Sequence, residues 1–235
     1  MAIRYLTSGE SHGRALIGIL EGIPSGLPVS SGDIDSDLRR RQGGHGRGGR
    51  MKIETDCAQV LSGVRFGKTI GSPIALLIEN KDWQNWHDIM SAELKVKGSD
   101  LKTVTSPRPG HADLAGAVKY DTHDMRNILE RSSARETAMR AALGAIAKRF
   151  LSEFGIKIGS YVIQIGNIKM HDTGCTIQDE RYKIKEKKIM HHASCIMHHT
   201  LFQNAEASPV RCPDKNLSKK MVQLIDKALK EGNSL

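Results

Sequence analysis

The stretch from Ser133 to Leu151 constrains the fold most. It contains no proline, and Met139, Ala142, Leu143, Ile146 and Phe150 recur with the 3.6-residue period of a helix. Ala141, Ala142, Gly144, Ala145 and Ala147 keep the helix slender, so a second helix can approach closely. Ser133 followed by Glu136 has the spacing of a capping box, which places the helix start at Ser133. The first-turn N–H groups and the positive end of the dipole attract phosphate or carboxylate. Arg131 and Arg135 add planar charged donors beside that end. Two readings stand here, an anion-receiving helix start and a capped core helix with solvated arginines.

Upstream, short apolar runs at 3–7 and 15–21 flank Ser8-Gly9-Glu10-Ser11-His12-Gly13 and predict two strands joined by a tight loop. Ser30 to Asp33 offers caps for a short helix through Arg41, which should stop at Gly43-Gly44 with its arginines at the C-terminal end. Further strands are expected at 52–55, 58–65 and 73–79. Residues 80–113 read as a long excursion with regular structure only around 87–95. Alternation over 156–165 predicts another strand. Leu217, Met221, Leu224, Ile225 and Ala228 mark a last amphipathic helix ending near Gly232.

The formal charge is +9 over 235 residues, and it is concentrated. Residues 39–52 hold Arg39, Arg40, Arg41, Arg47, Arg50 and Lys52 and no acid, so a specific anionic partner is favoured over a uniformly basic surface. The same segment carries Gly43, Gly44, Gly46, Gly48 and Gly49, which allow backbone to approach a ligand while arginines bind phosphate or carboxylate through two parallel bonds. A nucleic-acid tether of the arginine–glycine kind normally repeats and interleaves aromatic rings. This segment does neither, and a pocket wall for a small, multiply charged anion is preferred.

Two histidines lie in glycine-bracketed loops, His12 in Gly9–Gly13 and His111 in Arg108-Pro109-Gly110-His111-Ala112-Asp113. An imidazole that titrates near neutrality can hand a proton to a leaving group or serve a charged cofactor; a structural or merely exposed role is the alternative. His191-His192 and His198-His199 flank Cys195 without a strong zinc spacing, so an exposed variable segment is favoured over a metal site. The pair Asp82-Trp83 and Asn85-Trp86 either lines a pocket or pins the long loop. Cys57, Cys175, Cys195 and Cys212 form no Cys-x-x-Cys pair and read as reduced thiols. No apolar run is long enough to span a bilayer and no secretory leader is recognisable at the first residues, which makes a cytoplasmic location the expectation.

Four runs in order, Gly9-Glu10-Ser11-His12-Gly13, Arg40-Arg41-Gln42 through Arg47, Arg108-Pro109-Gly110-His111-Ala112-Asp113-Leu114 and Glu130-Arg131-Ser132-Ser133-Ala134-Arg135-Glu136-Thr137, closely resemble the chorismate synthase family. The resemblance implies an α+β layered sandwich, with central helices between outer sheets, assembled as a homotetramer. It implies elimination of phosphate and a ring hydrogen from 5-enolpyruvylshikimate 3-phosphate to give chorismate, with reduced FMN, and with NADPH in members that reduce their own flavin. On the matching positions, His12 would protonate the departing phosphate and His111 would sit near the flavin. Arg41 and Arg47 match phosphate-binding positions, Arg131, Ser132 and Ser133 match an FMN-contacting segment, and Arg50, Arg108 and Arg135 are further substrate contacts. The partner implied is a small anionic molecule, not nucleic acid or membrane. Members continue well past Leu235, which implies one domain incomplete at its C-terminus, either an active synthase or a non-catalytic remnant keeping part of the anion site. A basic nucleic-acid-binding protein is the remaining alternative.

Overall fold

The computed structural model describes residues 2–47, 54–93, 103–170 and 200–233. They form two compact units, one from Met1–Gln42 with Gly49–Lys157 and a second from Gly43–Gly48 with Ile158–Leu235. The class is α+β, as expected.

The first unit is built on an antiparallel sheet of four strands, β1 (Arg4–Ser8), β2 (Ala15–Glu21), β3 (Gln59–Ser62) and β6 (Ile74–Glu79), in the order β1-β2-β6-β3, with a two-stranded ribbon, β4 (Val64–Arg65) and β5 (Lys68–Thr69), between β3 and β6 in the chain. Alternation along β2 buries Leu16, Gly18 and Leu20 and leaves Ile17 and Ile19 exposed; β6 likewise buries Ile74, Leu76 and Ile78. Onto this buried face packs helix α5 (Thr137–Ser152) through Met139, Ala142, Leu143 and Ile146, the periodic residues of the sequence. Helix α1 (Ser31–Gln42) lies beside α5 and adds Ile34 and Leu38 to the same core. Close approach is secured at Gly18, where a Cβ would fall 2.5 Å from Met139 Sδ and 2.7 Å from its Cγ.

Three shorter helices follow the sheet in the chain before α5, namely α2 (Trp83–Met90), α3 (Asp113–Tyr120) and α4 (Arg126–Leu129). In the second unit a two-stranded ribbon, β7 (Gln164–Ile165) with β8 (Ile168–Lys169), and helix α6 (Lys215–Glu231) enclose a small core of Val210, Cys212 and Met221. Asp214 caps α6 by accepting from the N–H groups of Asn216 and Leu217, and Gly232 ends it in the left-handed conformation.

Several expectations need correction. The strand over 156–165 is reduced to Gln164–Ile165, because Ile156, Ile158 and Ile163 are exposed and the alternation has no partner strand among the described residues. The run 58–65 is two strands, Gln59–Ser62 and Val64–Arg65, separated by Gly63 at φ +83°, and the first shifts register against β6 between Val60 and Ser62. Residues 54 and 55 form no ladder; Glu54 is buried as a partner for arginine instead, and 52–53 lie outside the described residues. The regular structure expected around 87–95 is a helix over Trp83–Met90, and 94–95 lie outside the described residues. The long helix starts as a 3-10 turn, Ala134–Glu136, and becomes α-helical at Thr137. Only half of the capping box forms: Ser133 Oγ accepts from Arg135 N, while the Glu136 carboxylate turns to Thr7 and Arg140.

Candidate active site

The loop between β1 and β2 carries His12. Its entry, Gly9 at φ +101°, tolerates no side chain, since a Cβ would meet Ala15 O at 2.3 Å. Two residues distant in sequence fix the loop. Asn80, buried after β6, donates through Nδ2 to Glu10 O (3.0 Å) and Gly13 O (2.7 Å). Glu130, buried after α4, accepts from Ser11 N through its carbonyl at 2.9 Å. Its carboxylate Oε2 also accepts from His12 N at 3.0 Å and lies 2.6 Å from His12 Nδ1. The indole of Trp86 stacks on the imidazole, centroids 4.0 Å apart and planes 29° apart. Trp86 Nε1 donates to Asp82 Oδ2 at 3.0 Å, and that same oxygen is 4.0 Å from His12 Nε2. The imidazole is thus held on one edge by Glu130 and on one face by Trp86, with Asp82 4.0 Å from the far edge and about a fifth of the side chain exposed.

His111 occupies a second cluster on the turn leading into α3. Its Nδ1 bonds Asp113 Oδ1, and its Nε2 lies 3.3 Å from Arg108 Nη2. Asp113 is fully buried and also accepts from Arg108 N at 2.9 Å. Burial pushes the Asp113 carboxyl up, but the Arg108 N–H, the His111 bond and the two neighbouring charges outweigh it and hold it below the usual carboxylate range. Both candidate histidines therefore rest their Nδ1 on a buried carboxylate, one from the neighbouring turn and one from 118 residues away.

The arginines divide. Arg135 is buried and its guanidinium is shared among Asp56 Oδ1, Asn80 Oδ1 (2.9 Å), Glu54 Oε2 (3.4 Å) and Glu79 O (3.4 Å). Arg41 donates to Ala134 O (2.9 Å), Thr137 Oγ1 (3.0 Å) and Asp56 Oδ2 (3.4 Å), tying α1 to the start of α5. Arg131 is two-fifths exposed and donates to Thr7 O at 3.0 Å, with Glu136 Oε1 at 3.6 Å. Glu136 is itself held below its ordinary range: burial raises it, but Thr7 Oγ1 at 2.6 Å and the Arg140 guanidinium prevail. Arg108 is more than half exposed beside His111. Ser132 is exposed and Ser133 half-buried as the cap. Arg47 is exposed in the second unit, where its neighbour His45 pairs with Asp226 at 2.7 Å. Arg50, Cys175, Cys195 and the histidines at 191–199 lie outside the described residues. Among the described residues no group of His, Cys, Asp and Glu is placed to hold a metal, and no helix is long and apolar enough to cross a membrane.

Glu130, Asp82, Trp86, Asn80 and Asp113 were not singled out as site residues by the sequence. Asp113 had a local signal, two residues after His111. The others join His12 only through the fold; for Asp82-Trp83 and Asn85-Trp86 the sequence left lining a pocket and pinning the long loop equally open.

The first unit is thus an α+β scaffold that carries two imidazoles, each with its Nδ1 on a buried carboxylate. The chain matches the profile of the family described as Chorismate synthase over residues 3–235. It is 52% identical over 237 residues to a protein of Symbiobacterium thermophilum, covering 99% of this chain and 56% of the relative. It is 50% identical to one of Aquifex aeolicus and 47% to one of Listeria welshimeri, covering 55% of each; all three are named chorismate synthase. A solved structure described as a crystal structure of chorismate synthase superposes with a TM-score of 0.70 at 41% identity, covering 99% of this chain and 55% of that one. The chain belongs to the chorismate synthase family. It spans a little over half the length of these relatives.

Proposed function

We propose that this chain serves chorismate synthesis, eliminating phosphate and a ring hydrogen from 5-enolpyruvylshikimate 3-phosphate. The observation that carries the reading is His12, an imidazole clamped between the buried Glu130 carboxylate and the Trp86 ring on a loop pinned by Asn80. A proton donor held so firmly loses no alignment when a phosphate departs. The part-exposed guanidiniums of Arg108 and Arg131 offer neutralising charge of the kind a phosphate and two carboxylates require, and Arg47 is assigned to phosphate binding from the family's pattern alone. Arg50 is assigned the same task from the family's pattern alone. Arg135 and Arg41, whose donors are engaged by Asp56, Glu54, Ala134 and Thr137, are assigned to the framework.

The reading includes reduced FMN. Ser132, exposed beside the part-exposed Arg131, offers a hydroxyl and a cation of the kind that hold a phosphate tail, and Ser133 orders the turn behind them. Arg131, Ser132 and Ser133 would hold the cofactor, which when bound lends electron density to the elimination and recovers it. His111, steadied by Asp113, is assigned to proton management near the flavin. A cytoplasmic homotetramer belongs to the same reading, as does NADPH for a member that reduces its own flavin.

The test supplies substrate, FMN and dithionite without oxygen and follows chorismate absorbance. Turnover is expected; its absence from a folded preparation refutes the assignment and leaves the non-catalytic alternative. His12→Ala should lower kcat by about 10²-fold or more, the usual contribution of a placed acid, with a smaller change in KM. Arg47→Ala should raise KM for substrate or dinucleotide with kcat little changed.

A further inference from the structure

We infer that Glu130 is the positioning residue of the site, fixing the tautomer of His12 so that Nε2 is the nitrogen exchanging a proton with ligand, and that Trp86 and Asp82 lock the ring in that orientation. The inference deepens the proposed function and rests on it for its kinetic consequences. Its structural content stands on geometry.

Glu130 Oε2 already accepts the His12 backbone N–H at 3.0 Å, so it faces the ring as an acceptor. The 2.6 Å contact from His12 Nδ1 to that oxygen is then a donated bond, and the neutral ring carries its proton on Nδ1. Nε2 points the other way, toward Asp82. A neutral imidazole so arranged keeps its lone pair on Nε2, and protonation there produces a donor on the same side. Which nitrogen reacts is thereby set by Glu130. The remaining freedom of the ring is a flip about its bond to Cβ. Trp86 blocks it by stacking at 4.0 Å, and is itself held by Nε1 donation to Asp82 Oδ2. Asp82 Oδ1 in turn accepts from Asn85 Nδ2 at 2.8 Å, so the first turn of α2 forms one rigid bracket.

The experiment labels histidine with ¹⁵N in the whole 235-residue chain and reads ring nitrogen–proton correlations at a pH where His12 is neutral. The His12 signal is identified by its loss in His12→Gln. The Nδ1–H pattern is expected in the unsubstituted chain. Glu130→Met, close in size but with no acceptor, should move the pattern to Nε2–H; Glu130→Gln, which keeps an oxygen acceptor, should retain Nδ1–H. An Nε2–H ring in the unsubstituted chain, or an unchanged pattern in Glu130→Met, overturns the inference. In the assay, Glu130→Met should lower kcat by about 10²-fold with KM unchanged, the scale of a misoriented catalytic group, and Glu130→Gln should recover most of that loss. Equal losses in the two variants would overturn the tautomer argument. Should Glu130→Met fail to fold, the unsubstituted spectrum and Glu130→Gln decide. A folded chain with the Nδ1–H ring and no turnover refutes the proposed activity and leaves the holder standing.

Discussion

Removing the Arg135 guanidinium should destabilise the protein far more than removal of an ordinary arginine. The side chain is 5% exposed, and its partners Glu54 and Asp56 are 2% and 0% exposed. Arg135→Ala leaves two buried carboxylates short of a counter-charge and takes a donor from Asn80 Oδ1. Breaking a buried pair by deleting one partner costs about 3–5 kcal/mol. The lower end applies to Asp56, which keeps Arg41 at 3.4 Å, while Glu54 keeps the Lys81 N–H at 3.2 Å as a donor. A loss near 4 kcal/mol is roughly a thousandfold in the folding equilibrium and about 8–16 °C in Tm for a chain of this size. Urea denaturation followed by circular dichroism measures it. Arg135→Lys, which keeps charge but loses the fork, should fall between. The combination Arg135→Met with Glu54→Gln and Asp56→Asn should recover a large part, because the charges leave together. A loss below about 1 kcal/mol for Arg135→Ala, the value of an exposed pair, would refute the reasoning.

Acid should unfold the first unit partly through Asp113. Its carboxyl is held below the ordinary 3.8, so its stabilisation is complete above that value and disappears as pH falls through the lower folded one; Asp113→Asn should flatten the fall of Tm in that range. Asp33, Asp124 and Glu136 are lowered likewise and should leave a residual acid transition in that variant. Gly18→Ala should cost about 1–3 kcal/mol in urea denaturation, since its Cβ overlaps Met139, and Met139→Ala in the same chain should relieve part of the strain.

Much of the scaffold was legible because its signals are local. The β1–β2 hairpin, the arginine-ended α1, the α5 core face and the capped α6 each announce themselves through period, caps or glycines within a short window. The strand expected at 156–165 failed because alternation states only which residues could share a face and not whether a partner strand exists. Of the site, the two loop histidines were visible and their supports were not. Glu130 and Asn80 meet the His12 loop from 118 and about 70 residues away, and no spacing rule spans such distances. Arg135 shows the converse. Its charge and its place at a helix start suggested a ligand, and its buried ion pairs with Glu54 and Asp56, from distant segments, had no local signal.

The bracket around His12 has a bearing on the order in which the chain acquires competence. A hairpin such as β1–β2 can form from neighbours alone, but its tip stays unset until the segments bearing Asn80, Trp86 and Glu130 have docked. Long chain closures are slow. During refolding, the circular dichroism of the sheet should therefore recover ahead of the tryptophan signal from the stacked indole, and proton-transfer capability should return with the latter.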